Sequence, residues 1–127
     1  MKDTAIMLYG YSMDNAVEIQ NALEHVLGRG ILLMSGSCRE DMTVADIIRH
    51  GGESFFEEKE TRILMFMGCD DNDIRMALSG FPDREGLARP IFCGLTEQNL
   101  KWTLSDLLEH LLEEKKYWTE KSAEEKE

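Results

Sequence analysis

Two short glycine-containing segments of this 127-residue chain carry residue types that could bind a ligand. Each segment follows an apolar run, and together they supply six candidates: Gly10, Ser12, Gly68, Cys69, Asp70 and Asp71. Backbone N–H groups and a hydroxyl could bind an anion, whereas carboxylates supply the oxygen ligands that Mg²⁺ prefers. We expect these residues to form a ligand site if the two apolar runs end side by side.

Each candidate also has a structural interpretation. Ser12 suits the cap of a following helix, and the carboxylates of Asp70 and Asp71 suit the positive end of a helix dipole. A cysteine nucleophile needs a base that lowers its pKa, and the sequence supplies none beside Cys69. The glycines lack dinucleotide-site and P-loop spacing, and the three histidines lack the spacing of metal ligands. The sequence therefore favours a protein without catalytic residues, metal or cofactor.

Composition and charge restrict the classes of partner. The chain has 25 acidic and 14 basic residues, a net charge of −11, and no cluster of basic residues for a phosphate backbone. We therefore expect no nucleic-acid partner. No apolar stretch approaches the length that spans a bilayer, so we expect no membrane partner. Three cysteines without CxxC spacing indicate reduced thiols and a cytoplasmic location.

The clearest local pattern begins at residue 102. Thr103 and Asp106 have the spacing of a helix-capping pair, and Trp102 and Leu107 could form a hydrophobic staple around it. One apolar stripe at helical spacing follows, formed by Leu104, Leu107, Leu108, Leu111 and Leu112. The pattern predicts a helix that runs from Leu104 to about Trp118. Residues 119–127 lack apolar periodicity and are predicted to form a charged, frayed tail.

Residues 42–50 repeat this pattern about sixty positions earlier. Thr43 matches Thr103, and Asp46 matches Asp106. A similar offset relates the apolar residues 6–10 to 64–68. These matches predict an internal duplication, with pseudo-repeat 1 at about 4–52 and pseudo-repeat 2 at about 63–118.

Each repeat has the order strand, helix, strand, helix. This order predicts a single α/β domain over residues 1–127, with a four-stranded, mostly parallel sheet and helices on both faces. If a two-fold axis along the strands relates the halves, the strand order is 2-1-3-4. The carboxyl ends of strands one and three would then meet at a topological switch point and bring the six candidates into one crevice.

Residues 96–103, with the strand before them and the leucine stripe after them, resemble a bacterial family known as domain of unknown function 3783. The resemblance covers residues 63 to about 116. It implies four signature positions, all present here: Thr96, Asn99, Trp102 and Thr103. Family members often carry proline where this chain has Glu97. The resemblance implies no activity.

The sequence leaves two classes of function open. The first is a soluble, non-catalytic module that acts through protein association, with a homodimer as one form of it. Aromatic residues outside the clear core pattern favour this class: Phe55, Phe56, Tyr117 and Trp118. The second is a sensor that binds a small ligand or anion, or an enzyme, which uses the crevice at the carboxyl ends of strands one and three.

Overall fold

The computed structural model describes residues 4–50 and 55–125, which form one sheet with helices on both of its faces. The four strands are β1 (Ala5–Tyr9), β2 (Leu32–Ser35), β3 (Ile63–Met67) and β4 (Ile91–Gly94). The helices are α1 (Met13–Leu27), α2 (Val44–His50), α3 (Asp71–Gly80), a 3-10 turn (Asn99–Lys101) and α4 (Leu104–Glu125). No helix of the described part is long and apolar enough to cross a membrane.

The strand order is β2-β1-β3-β4, which confirms the predicted order 2-1-3-4. β1 pairs parallel with β2, and β3 pairs parallel with β4, so the sheet is mostly parallel as predicted. β1 and β3, however, are antiparallel, with Met7 opposite Met65 at the centre of the ladder. The expected axis along the strands is therefore wrong. The approximate two-fold axis passes through the sheet between these two methionines.

The direction of β3 follows from the short connection before it. α2 has only seven residues and is about 10 Å long, too short to return the chain along the sheet. Beyond it, Lys59 N donates to Gly10 O at 3.0 Å, so the connection passes the carboxyl end of β1. Since β3 starts at this edge, it can only run antiparallel to β1.

The core has two layers, one on each face of the sheet. All five residues of β1 and of β3 are buried, as expected for strands that are covered on both faces. Alternate residues face opposite layers: Ile6 and Leu8 pack with α1 and α3, whereas Met7 packs with α2 and α4.

The two predicted threonine caps are present. Thr43 Oγ1 accepts from Asp46 N, and Thr103 Oγ1 accepts from Asp106 N, both at 3.1 Å. The two caps also meet, because Val44 N donates to the Trp102 carbonyl at 2.9 Å in an antiparallel bridge between Thr43 and Thr103. Residues that match in sequence thus lie opposite each other across the axis. The duplication itself stays a prediction.

α4 is longer than predicted. It continues to Glu125, so most of the predicted charged tail, 119–127, is helical, while residues 126 and 127 lie outside the described part. The side chains of Tyr117 and Trp118 also lie outside it, as do Gly51 and Gly52, which the sequence places after α2.

We expect Thr43→Ala and Thr103→Ala each to lower the free energy of unfolding by about 1 kcal/mol, because each removes a helix cap. Urea denaturation followed by circular dichroism measures the loss. Ser105→Ala, at an exposed position in the first turn of α4, is the control and should change stability by less than about 0.5 kcal/mol. A negligible loss at Thr43 would contradict the equivalence of the two caps.

Candidate functional site

The two glycine-containing segments lie at opposite edges of the sheet. Tyr9, at the end of β1, pairs with Ile63 at the start of β3, whereas Met67, at the end of β3, pairs with Ala5. Since β1 and β3 are antiparallel, their carboxyl ends do not meet. The prediction that one crevice brings the six candidates together is therefore wrong. They are Gly10, Ser12, Gly68, Cys69, Asp70 and Asp71.

Folding alone explains the first segment. Gly10 has a φ of 91°, and a Cβ at this position would overlap the carbonyl oxygen of Thr61. Ser12 caps α1, with its Oγ accepting from Asn15 N at 3.4 Å. Both residues have conformational roles that need no ligand.

The carboxylate of Asp70 in the second segment, like that of Asp73 nearby, is bonded within the protein. Asp70 caps α3, since its Oδ1 accepts from Asp73 N at 2.8 Å while Asp73 Oδ2 accepts from Asp70 N at 3.2 Å. Asp73 also binds Arg29 through two hydrogen bonds, of 2.7 and 3.2 Å. The Arg29 hydrogen bond holds the pKa of Asp73 below its usual value. Asp71 is exposed in the first turn of α3.

The environments of the cysteines do not favour a thiolate. Burial, with the charge of Asp73 next, raises the pKa of the Cys69 thiol above its usual value, which is the opposite of what a nucleophile requires. Desolvation and a hydrogen bond to Glu57 raise the pKa of Cys38. Burial and the charge of Glu114 raise the pKa of Cys93 to about 12.

We expect the thiols to react with an aromatic disulfide reagent at pH 8 in the order Cys38, Cys69, Cys93. Cys38 is exposed and should react first. Cys93 should react more than about 100-fold more slowly than Cys38, because only a small fraction of its thiol is ionised at this pH. Absorbance of the released thiol gives the rates. Cys93→Ser should remove the slowest phase, and urea should make all three rates similar. Equal rates in the folded protein would contradict the order.

The loop after β4 is held by one buried amide. Asn99 is 7% exposed, and its Oδ1 accepts from Thr96 N at 2.8 Å while its Nδ2 donates to Gly94 O at 3.0 Å. In return, Asn99 N donates to Thr96 Oγ1 at 3.0 Å. These hydrogen bonds within the loop give Thr96 and Asn99 a structural role that needs no bound ligand.

Trp102 connects this loop to α4. It packs beside Leu107 in the α2/α4 layer, and its ring stacks on His110 with centroids 4.1 Å apart and an angle of 11°. The residues from β3 to α4 thus form one unit in which a strand end, an amide-bonded loop and a capped helix support one another.

Residues 62–118 match the family model of a domain of unknown function, DUF3783. The match confirms the resemblance seen in the sequence and covers the same half of the chain. It includes the four positions that the resemblance implies as signature positions: Thr96, Asn99, Trp102 and Thr103. No curated protein and no solved structure matches the chain.

We expect Asn99→Ala in the DUF3783 segment to cost about 2 kcal/mol of unfolding free energy, because Thr96 N and Gly94 O lose a buried partner. Asn99→Asp keeps the acceptor for Thr96 N but turns a carboxylate oxygen toward the Gly94 carbonyl, so it should also destabilise the protein. Gln98→Ala, at the exposed neighbouring position, should change stability by less than about 0.5 kcal/mol in the same urea titration. A loss below that limit for Asn99→Ala would contradict a structural role and favour a ligand role.

The DUF3783 segment also contains a groove that the sequence did not predict. Three adjoining cavities of about 550, 250 and 100 Å³ follow β4 along its side facing α4. Neighbouring cavities share lining residues, and we call the whole the β4–α4 groove: Ile91, Phe92, Cys93, Trp102, Leu111 and Glu114. Thr96, Asn99 and Trp102 line its largest part, whereas Thr103 does not.

The groove has an apolar margin. Leu95, just after β4, is 37% exposed, and Leu112 of α4 is 43% exposed. All four residues of β4 are only half-buried, whereas β1 and β3 are fully buried. One sequence signal for this surface was present, since the leucine stripe continues to Leu112, beyond the residues that fill the core.

Proposed function

We propose that the protein is a non-catalytic module that acts through protein association, with the edge of β4 and the β4–α4 groove as its docking surface. One observation carries the proposal. β4 ends the sheet with no further strand beside it in residues 4–50 and 55–125, while its apolar side chains stay half-exposed. An edge strand of this kind is a template for pairing with another chain.

Backbone groups of β4 point toward such a partner. Ile91 N donates to Arg62 O at 2.9 Å, and Leu95 N donates to Phe66 O at 3.1 Å. Since these residues alternate along a strand, Phe92 and Gly94 direct their backbone groups away from β3. An added strand would bond to these groups and cover the apolar margin of the groove.

The opposite edge of the sheet is better covered. Ile31, just before β2, donates its N–H to Glu24 Oε2 at 2.8 Å, and its carbonyl accepts from Gln20 Nε2 at 2.8 Å. At the other end of β2, Ser35 Oγ donates to the Phe55 carbonyl at 2.5 Å. α1 therefore occupies the backbone groups of Ile31 that a docking strand would need, and the segment after α2 is bonded to the end of β2, which favours β4 as the docking edge.

Phe55 and Phe56, two of the aromatic residues that the sequence assigns to association, lie in different environments. Phe55 is 53% exposed, whereas Phe56 packs against the α1/α3 layer. We therefore assign Phe56 to the core and keep Phe55 as a secondary contact. The three free thiols agree with a reducing compartment, and we propose the cytoplasm as the location.

Capture from cells that co-express tagged and untagged copies tests the proposal. Gly94→Pro removes an N–H that points away from β3, and Gly94→Ala is its matched control, since a Cβ there meets no atom within 4 Å. We expect wild type and Gly94→Ala to retain one protein at a stoichiometric amount and Gly94→Pro to lose it. Mass spectrometry identifies the retained protein. No stoichiometric partner, or equal capture by Gly94→Pro, would overturn the proposal.

A further inference from the structure

We infer that the partner of β4 is a second copy of this chain, paired antiparallel with β4 about a two-fold axis at Phe92. This inference rests on the proposed function and names the partner. Three features of the β4 edge support it, because each is complementary to the same feature of a second copy. They are the backbone groups, the side chains and the charges.

The backbone groups of β4 complement themselves in this register. Phe92 of one copy would exchange both backbone hydrogen bonds with Phe92 of the other, and Gly94 would lie opposite Pro90. Pro90 has no N–H to donate, and the Gly94 carbonyl already accepts from Asn99 Nδ2. The two groups without a cross-strand partner would thus face each other. Gly94 N–H would donate to the Pro90 carbonyl, so each outward group would find a partner.

In the two neighbouring antiparallel registers, the outward backbone groups of β4 do not all find a free hydrogen-bond partner. With the axis at Cys93, Gly94 would face Phe92, and the Phe92 N–H would have to share a carbonyl that Asn99 already occupies. With the axis at Gly94, Phe92 would face Thr96, whose N–H is bonded to Asn99 Oδ1. The amide of Asn99 therefore selects the register centred on Phe92.

The side chains pair well in the same register. The two Phe92 rings would lie side by side on the α1/α3 face, next to Phe66 and Phe81, whose ring centroids are 5.9 and 5.4 Å from that of Phe92. Aromatic cross-strand neighbours stabilise antiparallel pairs. On the α4 face, Ile91 of one copy would lie opposite Cys93 of the other. Both are half-buried members of the α2/α4 layer.

Charges along the groove are also self-complementary. Lys115 lines the cavity at the start of β4, together with Glu60 and with Arg62 and Arg89, whose guanidinium groups lie over the Tyr11 and Phe92 rings. Glu113 and Glu114 line the cavity at the end of β4. An antiparallel two-fold arrangement places the mainly basic end of one copy beside the acidic end of the other. Complementary ends of this kind fix register and orientation.

Sedimentation equilibrium of the purified full-length protein tests the inference. We expect a mass twice the 14.6 kDa of one chain. Gly94→Pro should raise the dimer dissociation constant at least about tenfold because one hydrogen bond is lost in each copy, and Gly94→Ala should leave it unchanged. Leu112→Ser in the groove should weaken the dimer, whereas Leu32→Ser, 57% exposed at the β2 edge, should not.

A charge exchange tests the orientation. Lys115→Glu and Glu113→Arg should each weaken the dimer, and the double variant should recover most of the loss, because only an antiparallel arrangement places the start of one groove, lined by Lys115, beside the end of the other, lined by Glu113. Thermal melts confirm that each variant is folded. A monomeric wild type up to about 100 µM, or a dimer that Gly94→Pro leaves intact, would overturn the inference. If the wild type is monomeric but captures another protein through β4, the proposed function stands and this inference fails.

Discussion

Gly10→Ala is expected to lower the free energy of unfolding by about 3 kcal/mol, the sum of backbone strain and overpacking. The φ of 91° lies in the left-handed region, which costs little for glycine and more for alanine. The new Cβ would also overlap the Thr61 carbonyl oxygen. Thr61 cannot move away freely, because the next residue, Arg62, accepts the hydrogen bond that starts β4.

Gly28→Ala is the matched control for the strain alone. Gly28 ends α1 with a φ of 71°, and no atom lies within 4 Å of a Cβ built there. Its substitution should cost about 1 kcal/mol, from the left-handed conformation only. Urea denaturation of both variants gives the difference. Equal losses would contradict the overlap at Gly10, and a loss of ligand binding without a loss of stability would restore a ligand role for this glycine.

Gly10 shows why the sequence alone could not predict the site, because its residue type fits both a ligand role and a structural role. A glycine after an apolar run is typical of both a phosphate-binding turn and a close approach of two chain segments. The residue type alone does not separate these interpretations, since both need the same freedom at φ. The structure separates them because Thr61, far away in sequence, lies against Gly10.

Local chemistry predicted the elements well. The caps at Thr43 and Thr103 depend on residues three positions apart, and the apolar runs of β1 and β3 depend on burial on both faces. The direction of β3 was not predictable in this way. A strand buried on both faces has the same side-chain pattern in a parallel and in an antiparallel pair. The short α2 and the path of the chain past Gly10 decided it.

The β4–α4 groove was missed for a related reason. Ile91, Phe92 and Cys93 form an apolar run that looks like another buried strand in the sequence. Their partial exposure depends on whether a further strand lies beside β4, and no local signal reports that. Asn99 acquires its importance in the same way, because its bond to Gly94 matters only once that carbonyl lies at an open edge.

Leu107→Ala is the second large expected effect, a loss of about 3 kcal/mol of unfolding free energy. Leu107 is 1% exposed and packs from α4 onto the sheet, beside Trp102 and opposite the α2 residue Ile47. Truncation removes apolar contacts and leaves a cavity that the neighbouring strands cannot fill, since β1 and β3 are held on both faces. Ile47→Ala should cost a similar amount if the two halves support the layer equally.

Leu112→Ala provides the control on the same helix. Leu112 is 43% exposed, so its truncation should change the stability of the monomer by less than about 0.5 kcal/mol. Denaturation should be measured at a protein concentration below the dimer dissociation constant, because association would add to the apparent stability. A small loss at Leu107, or a large one at Leu112, would mean that α4 packs on the sheet through a different face. The apolar margin assigned to the groove would then belong to the core.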